Sequence, residues 1–204
     1  MQVENLTPQI APLPEPGLIE RLTLESPMPL VLSLLVIGVG GLVVLNSKAK
    51  LRPGLLVLAG AWALAGAFLL VGSLVQTPRE SLMARTRELI SALADVDRAS
   101  MTRILRQDAE VEVRGFRTFA GRESVIGAAE HYVGGEYAVD SFSVPEIQGV
   151  IDGANTARTQ ARVRHTGPPS PASWWRITWY RASDDDPWVA VKIEPLWIAG
   201  LGNF

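Results

Sequence analysis

Two runs decide how this chain is read: Leu30–Leu45, LVLSLLVIGVGGLVVL, and Leu55–Val75, LLVLAGAWALAGAFLLVGSLV. Neither contains a charged residue. A helix needs ~20 residues to cross the hydrocarbon core of a bilayer. The second run has that length. The first reaches it when begun near Pro27, with tilt or local thinning taking up the remainder. In lipid a helix satisfies its own backbone hydrogen bonds without partners. Residues 27–76 therefore read as two transmembrane helices, about 27–45 and 55–76, joined by a basic loop, 46–54. A buried helix pair in a soluble core is the alternative reading of the same residues.

Small residues recur in both runs. Gly38, Gly40 and Gly41 sit in the first; Ala59, Ala63 and Ala67, four apart, share one face of the second. Small side chains let helix backbones approach closely in lipid. Gly38, Gly41, Ala59, Ala63 and Ala67 are thus the expected packing residues, either between these two helices or against another membrane protein. Trp62 lies well inside the second run, away from the interfacial belt where tryptophan usually sits. Lys48, Lys50 and Arg52 in the connector favour a cytoplasmic loop, whereas Arg79, Arg85 and Arg87 beyond the second run pull the other way. The balance puts both termini, and the soluble domain, on the outer, periplasmic side of an inner or plasma membrane.

Outward from the hairpin, residues 1–26 form a Pro-rich tail with Pro8, Pro12, Pro14 and Pro16 and no signal-peptide pattern. Within it, Gly17–Leu24 reads as linker or as a short amphipathic turn at the membrane interface. Of 204 residues, roughly 125 remain for one globular domain. A net charge of −2 gives no electrostatic case for nucleic acid. Without cysteine there is no disulfide framework, thiolate zinc site or thiol nucleophile. The two histidines lack metal-ligand spacing, so neither a metal nor a cofactor is expected.

The soluble domain, 77–198, opens on Thr77-Pro-Arg-Glu80, a capping box with proline at the first helical position. A helix to about Ala94 follows, with Leu82, Leu89, Ile90 and Leu93 on one face. Asp97 caps a short helix over Arg98–Arg106. Ala109–Phe119 reads as one strand bent at Gly115, and a third helix runs from Gly121 to about Val133, stopped by Gly134-Gly135. Four strands complete the domain: about Tyr137–Val150, Ala154–Thr166, Ser173–Arg181 and Trp188–Trp197. Their alternation predicts one apolar face, with Ala157, Ala161, Val163, Trp175, Ile177, Trp179, Val189, Val191 and Ile193. Arg158, Arg162, Arg164, Trp174, Arg176, Tyr180 and Trp188 fall on the other. The apolar tail 199–204 could pack on the domain, return to the membrane or enter a partner.

This order of helix, short helix, strand, helix and four-stranded meander resembles the nuclear-transport-factor-2-like superfamily, which includes SnoaL-like polyketide cyclases and ketosteroid isomerase. Leu89–Asp97 looks like the family's end of helix 1, and Leu105-Arg-Gln-Asp-Ala109 like its step into the first strand. Phe119–Ile126 looks like its entry to helix 3, and Trp175–Trp179 with Trp188–Glu194 like its closing hairpin. The match covers about residues 79–198. The resemblance implies an α+β cone: three helices packed on a curved antiparallel sheet, here behind a transmembrane helical hairpin.

Fold alone assigns no activity. The resemblance puts Leu89 where the isomerase has its oxyanion-stabilising tyrosine and Val113 where it has its aspartate base. Leucine cannot donate a hydrogen bond and valine cannot accept a proton. Of other residues, His131 with Asp97 or Asp108 makes the best available acid–base pair, against plain readings as surface, cap and helix-end residues. Arg158, Arg162, Arg164 and Arg176, with Trp174, Tyr180 and Trp188, have the composition of an interface core. Their bland reading is a solvated face with cross-strand ion pairs.

Three functions are therefore expected in order. The first is a membrane-anchored, non-catalytic accessory or assembly subunit, docking a membrane protein partner through the sheet face. The second is a membrane-tethered SnoaL-like enzyme, or a carrier of a small apolar ligand. The third, ranked last, is self-association through the sheet face into a homo-oligomer, with the hairpin as a mere anchor.

Overall fold

The computed structural model describes residues 10–14, 28–48, 51–74, 77–113, 117–136, 141–166, 172–199 and 202–203. These form two compact units, one of residues 15–80 and one of 1–14 with 81–204. Gly17–Leu24, Gly115 and the start of the strand expected from Tyr137 lie outside the described residues.

In the first unit, α1 (Met28–Ser47) and α2 (Leu51–Leu74) form an antiparallel hairpin. Both contain 20 residues long and apolar enough to cross a membrane, with mean hydropathies of 2.6 and 2.0. Few of their side chains are buried within the unit. The loop is shorter than the expected 46–54, because α2 already begins at Leu51. Pro53 is accommodated there since first-turn amides have no intrahelical acceptor to lose.

The hairpin seam uses part of the expected packing set. Gly38 and Gly41 lie at it, whereas Ala59, Ala63 and Ala67 are exposed and the buried alanines of α2 are Ala61 and Ala65. Two positions are ~200° apart on a helix, so the seam is on the opposite side of α2 from Ala59, Ala63 and Ala67. A Cβ on Gly38 would stand 2.8 Å from the Ala61 Cβ, and one on Gly41 2.9 Å from a Val57 methyl. Backbone approach sets the demand for glycine at these positions.

Helix α3 (Pro78–Ala94), most of which belongs to the second unit, starts with a reciprocal capping box. The Thr77 N–H donates to the Glu80 carboxylate at 2.9 Å, and the Glu80 N–H to the Thr77 hydroxyl at 3.1 Å. The helix buries Leu82, Thr86, Leu89 and Ile90 at helical spacing. It ends with Val96 in the left-handed region, φ 53°, while the Asp97 N–H reaches back to the Ala92 carbonyl at 2.8 Å. That cap normally carries glycine. Asp97 then caps α4 (Arg98–Ile104), accepting from the amides of Ala99 and Ser100.

Helix α4 runs directly into β1 (Leu105–Val113), which pairs antiparallel with β2 (Arg117–Ala120). The single bent strand of the sequence reading is thus a hairpin. Gly121 follows at φ 86°, which only glycine adopts freely. It opens α5 (Arg122–His131), continued by a π-helical turn, Tyr132–Glu136, through the glycines expected to stop it.

Four strands follow: β3 (Ser141–Ile151), β4 (Thr156–Thr166), β5 (Ala172–Tyr180) and β6 (Val189–Ile198). Consecutive strands are antiparallel neighbours, as their turn signals predict. The sheet order is β2-β1-β6-β5-β4-β3, with β1 parallel to β6. The sheet is therefore mixed, not antiparallel throughout, because the chain returns to β1 only after crossing the whole meander. Of the apolar tail, Gly202–Asn203 form β7, paired antiparallel to the end of β6.

The helices cover one face of this sheet. Leu82, Leu89, Met101, Ile104 and Ile126 pack with Ala157, Ile177, Trp179, Ala190 and Ile193. Two bulges in β6 correct the predicted alternation. Thr178 pairs with Lys192 but Trp179 with Ala190, so Val191 is the extra residue and Ala190 takes the inward place predicted for Val189 and Val191. Leu196 is the extra residue at the second bulge.

Candidate functional site

Large side chains pack against one another inside the cone. Trp179, Leu82, Leu89, Met101, Ile104 and Ile126 are fully buried there. Away from Arg122 Nε and His165 Nδ1, which are buried without partners, its central polar groups are paired: the Trp179 indole N–H donates to the Thr159 hydroxyl at 2.9 Å. The Thr86 hydroxyl lies 3.1 Å from Thr159 and 2.8 Å from the Leu82 carbonyl. Leu89 is part of this core.

Among the described residues, His131 makes no hydrogen bond or ion pair with Asp97 or Asp108. Asp97 is occupied as a helix cap, and the Ser100 hydroxyl, followed by the Ser100 amide, holds its carboxyl below the usual value. Asp108 is exposed and paired with Arg106, which likewise lowers its pKa. His131 is exposed at the end of α5, edge-on to the Tyr132 ring at 4.7 Å. Among the described residues no three acidic or histidine side chains cluster as metal ligands. A cleft of about 330 Å³ lies between Arg85, Arg181, Asp184 and Trp188. Its cations are already engaged, Arg85 by Glu88 at 2.7 Å and Arg181 by Asp184 at 2.5 Å.

The other face of the sheet differs. Cross-strand partners share a face, so the pairing gives three polar rows over β3, β4, β5 and β6. They are Glu146–Arg162–Trp174–Trp197, Gln148–Gln160–Arg176–Glu194, and Val150–Arg158–Thr178–Lys192. At the β1/β6 end, one ammonium gathers three carboxylates. Lys192 Nζ is 2.6 Å from Glu112, 3.1 Å from Glu194 and 3.8 Å from Glu110. Glu112 and then Glu194 raise the Lys192 pKa, so it stays charged.

At the β4/β5 end the polar groups are shielded and unpaired. Gln160 is 1% exposed and its Oε1 has no donor. The Nε atoms of Arg162 and Arg176 are buried without acceptors. Their cross-strand carboxylates are turned elsewhere, Glu194 to Lys192 and Glu146 to the Gln148 amide at 2.9 Å. A segment of the N-terminal tail lies on the same face: Leu13 is buried, and its N–H donates to Gln148 Oε1 at 3.3 Å.

The seven predicted face residues separate accordingly. Arg162 and Arg176 stand beside Trp174, which is itself buried, and Arg164 is exposed near the strand end. Arg158 is held by Asp152 through two bonds of 2.6 and 2.7 Å. Tyr180 is half-buried with the Arg106 guanidinium 5.2 Å over its ring. Trp188 is not on this face: it is buried in the core cluster, capped by Arg181 at 4.5 Å. It precedes β6, so strand alternation does not govern it. Gln148, Gln160 and Leu13 were missed. Gln160 had a signal in its place between Arg158 and Arg162, but uncharged glutamine on a polar strand draws no attention.

No protein-family model and no curated protein matches the chain. The solved structures it is similar to have the nuclear-transport-factor-2-like fold. A protein of that description from Cytophaga hutchinsonii is 15% identical, with 59% of this chain and 98% of that one covered and a TM-score of 0.49. Hexachlorocyclohexane dehydrochlorinase type 3 from Novosphingobium barchaimii is 13% identical, covering 61% and 92%, TM-score 0.48. A putative ketosteroid isomerase from Shewanella frigidimarina is 12% identical, covering 56% and 94%, TM-score 0.46. Those activities belong to those proteins; what this chain does is argued from its own residues.

Proposed function

We propose that the protein is a membrane-anchored accessory or assembly subunit whose hairpin holds it in the bilayer and whose outer sheet face docks a membrane protein partner. One contrast carries this reading: at the centre of the core Trp179, Thr159 and Thr86 are hydrogen-bonded to one another, whereas in the middle of the outer face Gln160, Arg162 and Arg176 each keep a buried atom unpaired. A buried polar atom without a partner costs ~1–3 kcal/mol. A partner that supplies the missing atoms recovers that cost. The packed interior weighs against a ligand carrier or a pocket enzyme. The basic connector supports the globular unit facing the outer, periplasmic side.

The test is extraction in mild detergent at native expression level, followed by native-mass sizing of the wild type and of Arg162→Glu and Trp174→Ala. A hetero-complex is expected for the wild type and its loss in both variants. A lone monomer, or a complex unchanged in both, overturns the docking reading. Labelling of a single cysteine placed in the exposed Asp184–Asp186 turn of intact cells reports the side. Reagents that do not cross the membrane are expected to reach it.

A further inference from the structure

We infer that the outer sheet face holds a seat for a single carboxylate, formed by the Arg162 and Arg176 guanidinium groups. Its occupant is a Glu or Asp side chain on an extended peptide segment of the docking partner. The inference rests on the docking reading above and names what that face recognises.

Arg162 on β4 pairs with Trp174 on β5, and Gln160 with Arg176. The two arginines are therefore diagonal neighbours, ~7–8 Å apart at the backbone. Side chains of that length converge easily on one point. Both Nε–H groups are donors withdrawn from water and without an acceptor. Neither guanidinium forms an ion pair with any described residue. A planar guanidinium fork matches a carboxylate better than any neutral group does. Arg158, two residues from Gln160, is excluded because both its bonds go to Asp152.

The backbone of the occupant is set by the glutamine row. Gln148 and Gln160 are cross-strand partners. Gln148 Oε1 already takes a backbone N–H, that of Leu13. Leu13 stands between Pro12 and Pro14, which have no N–H to offer. One strand further on, Gln160 Oε1 is the same kind of acceptor, buried and without a donor, so a peptide reaches it by displacing what covers it. A peptide laid beside the Ile10–Pro14 segment would give one N–H to Gln160 and project an acidic side chain between Arg162 and Arg176. Trp174 would form the apolar floor of the seat.

The test uses the full chain in phosphatidylcholine nanodiscs. The probe is a fluorescent, end-capped octapeptide alternating Glu and Val, with a Gln/Val peptide as control. Binding of the acidic peptide is expected to weaken at least tenfold in Arg162→Gln/Arg176→Gln and to be unchanged in Arg158→Gln. Arg162→Lys/Arg176→Lys, which keeps the charge but loses the fork, is expected to fall between wild type and the Gln pair. Circular dichroism melting verifies that each variant is folded. Failure of the acidic peptide to bind, or equal binding by the double Gln variant, overturns the carboxylate seat. So does equal binding of the Gln/Val peptide, or arginine-dependent binding to phosphatidylglycerol nanodiscs instead of the peptide. The docking reading fails separately. A native partner kept by the double Gln variant but lost on Trp174→Ala leaves docking standing and removes only the seat.

Discussion

The centre of the inner sheet face and the middle of the outer one treat buried polar groups in opposite ways. On the inner face, Trp179, Thr159 and Thr86 are fully buried and linked donor to acceptor. On the outer face, Gln160 is buried as deeply, yet its oxygen is unpaired, with two guanidinium donors beside it also unpaired. Unpaired buried polar groups are rare in folded proteins, and each asks for a reason. The centre of the inner face is finished by the chain itself. The outer face has the character of half an interface, stable enough to fold and incomplete without something laid on it.

Three substitutions break or sharpen that contrast. The largest effect is expected from Trp179→Ala, which empties the centre of the inner core and removes a satisfied donor. It should cost ~3–5 kcal/mol, read as a lowered urea midpoint of the full chain in detergent by circular dichroism. Thr159→Val comes next. It nearly preserves volume but takes the acceptor from the Trp179 N–H and a hydrogen-bond partner from Thr86, at ~1–3 kcal/mol in the same measurement. Smallest is Arg176→Met. Removing an unpaired, half-buried cation should leave stability within ~0.5 kcal/mol or raise it, while partner co-purification is lost. A loss comparable to that of Thr159→Val would mean that Arg176 serves the fold, and the contrast between the faces would fall.

Much of the architecture was legible because its signals are local. The two apolar runs mark the hairpin through length and lack of charge. Thr77 and Glu80 announce the start of α3 at three-residue spacing, and the structure shows both reciprocal bonds. The turn residues between β3, β4, β5 and β6 fix their antiparallel order. Faces were read less well. Ala59, Ala63 and Ala67, expected to pack on α1 or on another membrane protein, lie off the α1 seam, since a small-residue repeat at four occurs in two phases there and only the neighbouring helix chooses between them. Ala61 and Ala65 are chosen because Gly38 approaches Ala61. Val191 was placed inward because nothing in its neighbourhood of sequence marks a bulge. The bulge arises from how β6 must pair with β5.

By itself, then, the sequence determined the hairpin, the order of helices and strands, and the stripe of arginines on alternate positions of β4. Each depends on residues a few positions apart and on the periods of helix and strand. Only the tertiary structure decided which arginines are free. Asp152 takes Arg158, Lys192 takes Glu194 from Arg176, and Gln148 takes Glu146 from Arg162. The physical reason is that a charge is neutralised by whatever stands within about 4 Å of it. On a sheet those neighbours come from other strands, and their register is set by bulges and packing that no single segment encodes.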